Sequence, residues 1–345
     1  MPTTIYDVAA RAGVSAKTVS RVINNSPLVA PDTRQRVAAA IAELDFHPDS
    51  AAKGLRQRSR KSVGLVIPYG SDFVFRDQGM WEQANGAHQA LAERGYDMVL
   101  AVPKTPELVL MELNRLTKNR TVDGVIIYAM AGVDNVVREF DRLKIRYVSL
   151  GLCYAGQKNN FVEMDSPYVG HLATRHMLDQ GNRRIGMIRE PLSFLYPAKA
   201  SAEEGYRKAH EEARVPVDDS LILEGDYSIE SGYEQARRLL EKRPPVDGIL
   251  CMSDPMTWGV LRALRELGLE PGRDIDVIAG DDFPTTRAMW PGLTSIRTPL
   301  AEQGYRAGMM IVDYIQTGRE TPGRMLRGEL VVRESVRSRK GAFVG

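Results

Sequence analysis

From residue 62 onward the sequence alternates short apolar runs with longer amphipathic segments, and this alternation constrains the fold more than any other feature. The apolar runs are typical of buried strands and occupy residues 63–67, 97–102, 124–129, 146–151, 161–164, 184–188, 221–225, 248–252, 276–280 and 294–298. Helical patterns fall between them, for instance at residues 78–94, 168–180, 229–242, 256–267 and 300–317. Such alternation predicts parallel sheets with right-handed crossovers. Because ten strands are too many for a comfortable single sheet, we expect two doubly wound lobes.

The first residues follow a different pattern, and residues 4–24 predict two short helices joined by a tight turn. Thr4 is a good N-cap, and Asp7 places a carboxylate near the positive end of the first helix. Gly13 is expected to end that helix, because a positive φ costs glycine little. Ser15 can then cap the second helix.

The second helix of this pair has one apolar side and one short, polar and basic side. Its outer face is formed by Ala16, Lys17, Ser20 and Arg21. Such a face can enter a major groove, where an arginine matches the O6 and N7 acceptors of guanine. The pattern predicts a helix-turn-helix. The alternative is an ordinary helical hairpin that packs on a core and leaves its polar face in solvent.

A third helix and a short connecting segment complete this region. Pro31 suits the first position of a helix, since its missing N–H costs nothing there. Residues 49–55 predict a further short helix, and the polar, basic residues 56–61 follow it. A helix this short is unstable alone, so we interpret the segment as a hinge that becomes helical on DNA. A flexible linker is the alternative.

The distribution of charge separates this N-terminal region from the rest of the chain. Residues 1–61 hold ten Lys and Arg against five Asp and Glu, whereas the whole chain of 345 residues has a net charge of only +2. A basic head on a mildly acidic body indicates a polyanionic partner for the head. The two cysteines, Cys153 and Cys251, are expected to be buried free thiols. Without a signal-peptide pattern or a run of transmembrane length, the chain is predicted to be cytoplasmic.

These segments resemble the lactose/galactose repressor (LacI/GalR) family. In the head the resemblance is carried by TIYDVAARAGVSAKTVSRVIN, TRQRVAAAIAELDFHP and SAAKGLR. In the rest of the chain it is carried by VDGVII at 122–127, RRIGMI at 183–188, VIAGDDFP at 277–284 and LTSIRTP at 293–299. It covers nearly the whole chain, and the head motif is highly specific.

The resemblance implies an all-α helix-turn-helix head and an α/β core whose two parallel-sheet lobes are of the periplasmic-binding-protein type. The implied boundaries are 1–48 for the head, 49–61 for the hinge and 62–340 for the core. Within the core, the expected first lobe is about 62–160 plus 292–321 and the second about 161–291 plus 322–340.

The resemblance also implies a dimeric transcriptional repressor that binds double-stranded DNA at a palindromic operator. Each head would place its second helix in a major groove. The two hinges would lie in the central minor groove, where Leu55 would wedge a base step open. A small-molecule effector, a sugar by this resemblance, would close the lobes, separate the hinges and shift the population of DNA-binding states.

Residue by residue, the resemblance assigns the head's contacts to DNA. Ala16, Lys17 and Arg21 should contact bases, and Ser20 lies on the same face. The residues placed like the family's phosphate contacts are Tyr6, Ser15, Thr18, Asn24 and Thr33. Phosphate contacts position a protein without specifying sequence. For Ser15 and Thr18, capping and turn hydrogen bonds are an alternative that can coexist with this role.

The effector pocket is expected beyond the carboxyl ends of the strands, as in other open α/β sheets. The candidate residues there are Phe73, Phe75, Asp165, Tyr196, Lys199, Tyr227, Ser253, Asp254 and Asp281. Carboxylates and aromatic faces together suit sugars, whose C–H faces stack while their hydroxyls need acceptors. The alternative for Asp165 and Asp254 is helix capping, and for Tyr227 a place on the rim.

One departure from the family pattern lies in this pocket. Ala202 stands where the family usually has an arginine, and Lys199 or Arg189 are candidates to replace its guanidinium. Several aromatic residues suggest a larger or more apolar ligand such as a disaccharide; they are Phe73, Phe75, Phe194 and Tyr196.

No catalytic motif occurs where a strand meets a helix, and the histidines lack metal-binding spacing. We therefore predict neither an enzyme nor a cofactor. Two alternatives to an effector-controlled repressor stay open at this point: a DNA-binding regulator that needs no ligand, and a cytoplasmic sugar-binding protein.

Overall fold

The computed structural model describes residues 3–23, 26–46, 60–129, 133–154, 156–191 and 201–337. The chain divides into two compact units, Met1–Arg60 and Lys61–Gly345. Some of the predicted features lie outside the described residues: the hinge helix at 49–55 with Leu55, and the site residues Asn24, Tyr196 and Lys199.

The N-terminal unit contains three described helices, α1 (Ile5–Ala12), α2 (Ala16–Ile23) and α3 (Pro31–Glu43). Thr4 and Asp7 form a capping box, in which the backbone N–H of Thr4 donates to Asp7 Oδ2 at 2.8 Å. Gly13 ends α1 with a φ of 65°, as its sequence position predicts. The three helices pack around a small buried core, as expected from their apolar stripes; its valines are Val8, Val19, Val22 and Val37.

The described part of the C-terminal unit forms two six-stranded sheets connected by helices. Its strands in chain order are β1 (Ser62–Val66), β2 (Asp97–Ala101), β3 (Gly124–Tyr128), β4 (Tyr147–Leu150), β5 (Phe161–Met164), β6 (Ile185–Arg189), β7 (Ile222–Glu224), β8 (Gly248–Cys251), β9 (Asp276–Ala279), β10 (Thr294–Arg297), β11 (Arg324–Leu326) and β12 (Glu329–Val331). The first sheet has the order β11-β5-β4-β3-β1-β2 and the second β12-β10-β9-β8-β6-β7. Every pairing is parallel except that of β10 with β12.

Helices connect these strands and cover the sheets. They are α4 (Ser71–Val74), α5 (Gln78–Glu93), α6 (Pro106–Lys118), α7 (Val133–Leu143), α8 (Ser166–Asp179), α9 (Ala202–Glu212), α10 (Ile229–Leu240), α11 (Asp254–Glu266), α12 (Pro284–Arg287) and α13 (Leu300–Thr317). Because apolar side chains cover both faces of each sheet, the central strands are almost completely buried. The expected two doubly wound lobes are therefore confirmed.

The lobe boundaries differ from those expected from the sequence. Strand β5, expected to begin the second lobe, pairs with β4 in the first sheet. Strand β10 was expected in the first lobe but pairs with β9 in the second, and β11 pairs with β5 in the first. Apolar runs do not specify which strand they pair with, because every extended segment offers the same backbone donors and acceptors. The chain therefore crosses between lobes three times, after β5, after β10 and after β11.

Helices α5 and α13 of the first lobe pack closely against each other and position side chains that face the second lobe. A Cβ atom on Gly86 of α5 would overlap the backbone carbonyl of Ala301 in α13, so only glycine permits this approach. The amide of Gln83 in α5 donates to the side-chain oxygen of Gln303 in α13 at 2.6 Å. Among the described residues, no helix is both long enough and apolar enough to cross a membrane.

Candidate functional site

Helix α2 displays the polar, basic face that its spacing predicts. Val19 and Val22 are buried, whereas Lys17 and Arg21 are exposed. Ala16 is half-buried and packs against the core of the head. Lys17 and Arg21 are therefore the long cationic side chains that this helix offers to a groove.

The predicted phosphate contacts surround this helix and also have local structural roles. Tyr6 on α1 is 74% exposed. The Oγ of Ser15 accepts from the backbone N–H of Thr18 at 3.2 Å and lies 2.9 Å from the Thr18 hydroxyl oxygen. This is the capping geometry that was the alternative for the pair. Ser20 and Thr33 are half-buried.

A cavity of about 230 Å³ lies between the two lobes of the C-terminal unit. Loops that follow the carboxyl ends of strands in both sheets supply its lining, as expected for an open α/β architecture. Four of the predicted effector residues line it: Phe73, Tyr227, Ser253 and Asp281.

Three predicted effector residues do not line the cavity. Phe75 is 55% exposed, and its ring lies 5.7 Å from that of Trp81. Asp165 instead caps α8, since its Oδ1 accepts from the backbone N–H of Tyr168 at 3.1 Å. Asp254 is buried, and its Oδ2 accepts from the backbone N–H of Phe283 at 2.7 Å.

The capping alternative is thus correct for Asp165, because the first N–H groups of a helix need acceptors. Asp254 fits neither interpretation. It is the first residue of α11 and ties that helix to the loop before α12. Sequence position could not distinguish a carboxylate that faces a cavity from one that holds two backbone segments together.

Sequence reasoning missed several cavity residues. They are Tyr69, Asp77, Tyr128, Glu163, Glu190 and Gln303. Glu190 directly follows β6, and its position at a carboxyl strand end was a signal that could have identified it. Asp77 looks like a plain N-cap, and its Oδ1 does accept from the backbone N–H of Met80 at 2.7 Å.

Burial controls the protonation of the polar groups in and beside the cavity. It raises the pKa of Asp77. It also raises the pKa of Asp281 well above its usual range, with the nearby carboxyls of Asp254 and Asp77 acting in the same direction. The pKa of Tyr227 is raised by burial first and by the charge of Glu190 second. The cavity is therefore lined by acidic residues, and burial favours the neutral forms of Asp77, Asp281 and Tyr227.

The position where the family usually has an arginine lies at the cavity. Ala202 lines it and is almost completely buried. Arg189 does not replace the guanidinium there, since it pairs with Glu203 at 3.2 Å and with Glu224 at 3.0 Å. Lys199, the other candidate, lies outside the described residues.

The remaining reactive groups are structural in character. Cys153 and Cys251 are buried free thiols, as predicted, and burial raises the pKa of each to about 12. Among the residues that the structure describes, no group of three or more His, Cys, Asp and Glu side chains could hold a metal ion.

Two segments of the chain match known families. Residues 4–49 match the bacterial regulatory proteins of the lacI family. Residues 174–336 match the periplasmic binding protein-like domain. The first segment contains the capping box of α1 and all of α2 and α3. The second extends from α8 to a few residues beyond β12.

Relatives match over almost the whole length. The HTH-type transcriptional regulator CelR of Thermobifida fusca is 33% identical over 335 residues, covering 96% of this chain and 98% of that protein. The HTH-type transcriptional repressor PurR of Actinobacillus pleuropneumoniae is 32% identical over 344 residues, covering 97% and 98%.

Solved structures show the same similarity. The CelR–cellobiose complex is 31% identical, with a TM-score of 0.73 over 96% of this chain and 99% of that one. The lac repressor dimer bound to operator and the anti-inducer ONPF is 25% identical, with a TM-score of 0.85 over 98% and 100%. Together with the polar face of α2 and the cavity between the lobes, these matches confirm the resemblance found in the sequence. The chain belongs to the lacI family of bacterial regulatory proteins and is a ligand-controlled, DNA-binding regulator of transcription.

Proposed function

We propose that the protein represses transcription by binding a palindromic operator as a dimer, under the control of a sugar held between its lobes. The observation that carries this proposal is the cavity, because it joins aromatic faces and carboxylates from both lobes at the carboxyl ends of their strands. Relatives support it, since PurR is named a repressor, the lac repressor is solved as a dimer on operator, and CelR is solved with cellobiose.

On the DNA side, Arg21 and Lys17 are proposed to contact base edges, with Ala16 in apolar contact and Ser20 beside them. Arg21 carries most of the discrimination, because a bidentate arginine–guanine contact contributes about 1–3 kcal/mol. The proposed phosphate contacts are Tyr6, Ser15, Thr18, Asn24 and Thr33.

On the effector side, Phe73 and Tyr227 are proposed to stack on the sugar, while Ser253 and Asp281 bond its hydroxyls. The three crossings between lobes give the closure its hinge, since each lies directly after a strand of one sheet and leads to the other. Closure on a sugar would shift the population of lobe arrangements, and the shift is limited by the sugar's differential affinity for the two states. The sugar is bound and released unchanged.

We also infer that the protein acts in the cytoplasm, where a bacterial regulator meets its DNA. The head supports this inference, because its function requires access to an operator.

The decisive experiment has two arms. In the first, DNA that binds the full-length protein is selected from a random pool, and its affinity is measured against salt concentration. A palindromic consensus and an affinity that falls steeply with salt are expected, because phosphate contacts release counterions. Selection of no consensus would contradict operator binding and favour the sugar-binding alternative.

In the second arm, the thermal midpoint and the operator affinity are measured with a panel of mono- and disaccharides. A sugar that binds the folded state must raise the midpoint, by mass action. The same sugar should change operator affinity, since the two binding events are linked. A palindromic consensus whose affinity no sugar changes would instead support a regulator that needs no ligand.

A further inference from the structure

The charge of the cavity lining is one-sided. Four carboxylates line it, Asp77, Glu163, Glu190 and Asp281, whereas no Lys, Arg or His belongs to the part of the lining that the structure describes. An anionic ligand is disfavoured in such a site, because like charges at close range repel strongly in a water-excluded space.

Three of these carboxylates already have hydrogen-bond partners in the fold. The Oδ1 of Asp281 accepts from the Thr298 hydroxyl at 3.1 Å. The Oε2 of Glu163 accepts from the backbone N–H of Leu152, and its Oε1 accepts from that of Met164, both at 2.8 Å. Asp77 accepts from the backbone N–H of Met80 at 2.7 Å as the cap of α5. Their charges are therefore partly stabilised by the fold itself.

Glu190 is different. Its residue is only 7% exposed, its side chain lines the cavity, and its Oε2 has no hydrogen-bond partner among the described residues. The guanidinium of the neighbouring Arg189 forms ion pairs with Glu203 and Glu224 and not with the Glu190 side chain. Burying a carboxylate oxygen without a hydrogen-bond partner costs free energy, so in native proteins such an atom usually binds a ligand, an ion or a water molecule.

The aromatic residues that line the same cavity favour a positive charge as well. The rings of Tyr69 and Phe73 have centroids 6.1 Å apart, and those of Phe73 and Tyr227 are 5.8 Å apart, so three aromatic residues run from the first lobe to the second. The negative face of an aromatic ring attracts a cation, and aromatic groups with carboxylates are a common setting for ammonium recognition. Burial, together with the nearby carboxyls of Asp254 and Asp77, raises the pKa of Asp281, and a cation beside this carboxyl would favour its charged form.

We propose that the effector is a saccharide that carries a protonated amine, and that Glu190 is the residue that accepts from its ammonium group. This inference rests on the proposed function, in which a sugar occupies the cavity. It specifies in addition that the sugar is positively charged and that Glu190, which was not identified from the sequence, determines specificity.

A neutral sugar fits these observations less well. When the lobes close on a ligand, water leaves the cavity and the carboxylates lose its screening. A neutral ligand would form hydrogen bonds with the carboxylate oxygens but would not compensate their negative charge. An ammonium group would do both. The missing guanidinium at Ala202 agrees with this, because an arginine there would repel a cationic ligand.

The test is isothermal titration of the full-length protein with matched sugars at pH 7. Glucosamine is compared with glucose and N-acetylglucosamine, and the 2-amino-2-deoxy analogue of cellobiose is compared with cellobiose. The amine-bearing member of at least one set should bind about tenfold more tightly than its neutral counterparts, as expected for a charge-assisted hydrogen bond.

Variants locate the effect. Glu190→Gln keeps the size and removes the charge, so it should lose most of the preference for the amine, whereas Glu190→Asp should keep part of it. Glu230→Gln, at an exposed position on α10, is the matched control and should keep all of it. Thermal midpoints of the variants establish that each one folds.

The outcomes separate the two levels of the proposal. Equal or tighter binding of the neutral sugars, or an unchanged preference in Glu190→Gln, would overturn the cationic effector and leave a sugar-controlled repressor intact. Failure of every saccharide, charged or neutral, to bind would overturn the sugar effector itself. Operator selection tests the DNA-binding part independently of both.

Discussion

The ring of Phe73 lies 5.8 Å from the ring of Tyr227, tilted by 55°, and this pair joins the two lobes across the cavity. Phe73 belongs to α4, in the connection after β1, and Tyr227 follows β7 in the other sheet. Tyr227 has a φ of 67°, a left-handed conformation that directs the chain sharply before α10 begins. This contact between the lobes thus joins two residues some 150 positions apart in the sequence.

Removal of either ring should weaken the core. In a double-mutant cycle, Phe73→Ala and Tyr227→Ala should show a coupling of about 0.5–1.5 kcal/mol, as measured for tilted aromatic pairs. The measurement is denaturant unfolding of the two single variants, the double variant and the parent protein. Pairing Phe75→Ala with Tyr227→Ala is the control, since Phe75 contacts Trp81 instead. Additive losses in the Phe73 cycle would show that the rings do not interact.

Substitution of Arg21 should weaken specific DNA binding without affecting the core. Arg21 is exposed on α2, so Arg21→Ala should remove the proposed contact with the groove without disturbing the packing of the head. We expect operator affinity to fall by about tenfold or more, the equivalent of at least one good base contact. A gel-shift titration on the selected operator measures this.

A head variant elsewhere serves as the control for Arg21. Arg36→Ala removes an exposed cation from α3, whose 3.9 Å ion pair with Asp32 contributes little. It should keep the preference for operator over random DNA, and size-exclusion chromatography should show the same oligomeric state for both variants. Unchanged operator affinity in Arg21→Ala would contradict the assigned role.

Asp254 should make stability depend on pH. Burial raises its pKa from 3.8 to about 7, with the carboxyl of Asp282 acting in the same direction. Because the folded state then binds the proton more tightly than the unfolded state, the free energy of unfolding should fall as pH rises from about 4 to 7. Asp281 adds to the same trend, since its pKa is also raised.

The variant Asp254→Asn removes this titration and keeps an acceptor for the backbone N–H of Phe283. It should match the parent protein near pH 4 and exceed its stability at pH 8 by on the order of 2 kcal/mol. Thermal unfolding across this pH range is the measurement, with Asp179→Asn as the matched change, because Asp179 is exposed at the end of α8. A parent protein that gains stability between pH 4 and 7 relative to Asp254→Asn would refute this assignment.

Asp282 should be among the most sensitive positions of the second lobe. It is completely buried, accepts from Ser295 Oγ at 2.6 Å, and pairs with Arg297 at 2.9 Å, Arg333 at 2.8 Å and Arg287 at 3.2 Å. Asp282→Ala leaves these guanidinium groups without their shared carboxylate. We expect a loss of about 2–4 kcal/mol, below that of a fully buried pair because the arginines keep part of their hydration.

The control for Asp282 is Glu329→Ala, which removes a carboxylate paired with Arg297 at 2.7 Å on the surface. An exposed pair of this kind contributes less than about 1 kcal/mol. Denaturant unfolding of both variants should separate them clearly. Equal losses would mean that the buried cluster contributes no more than a surface ion pair.

The sequence was sufficient for the head because its determinants are local. Thr4, Asp7 and Gly13 occupy the positions that begin and end α1, and each bonds backbone groups only a few residues away. Pro31 occupies the first position of α3, where its missing N–H costs nothing. The spacing of Val8, Val19 and Val37 then determines which faces meet. For the same reason the order of strands and helices in the core was predicted closely, and β5 and α13 have the bounds expected for them.

Only the tertiary structure decided which sheet each strand joins and which side chains share the cavity. Strands β5 and β10 exchange lobes relative to the expectation, because an apolar run does not specify its partner: β5 pairs with the preceding strand β4, and β10 with the preceding strand β9. Strand β11 pairs with β5 although Arg324 and its partner Val162 are far apart in the sequence. Asp165 and Asp281 look equivalent in sequence, yet one caps a helix and the other lines the cavity. Periodicity and capping depend on interactions between residues close together in the sequence. The site depends on contacts between residues that are far apart in the sequence. Glu190, a single acidic residue after a strand, therefore acquires its significance only when the second lobe places Tyr227 and Asp281 around the same space.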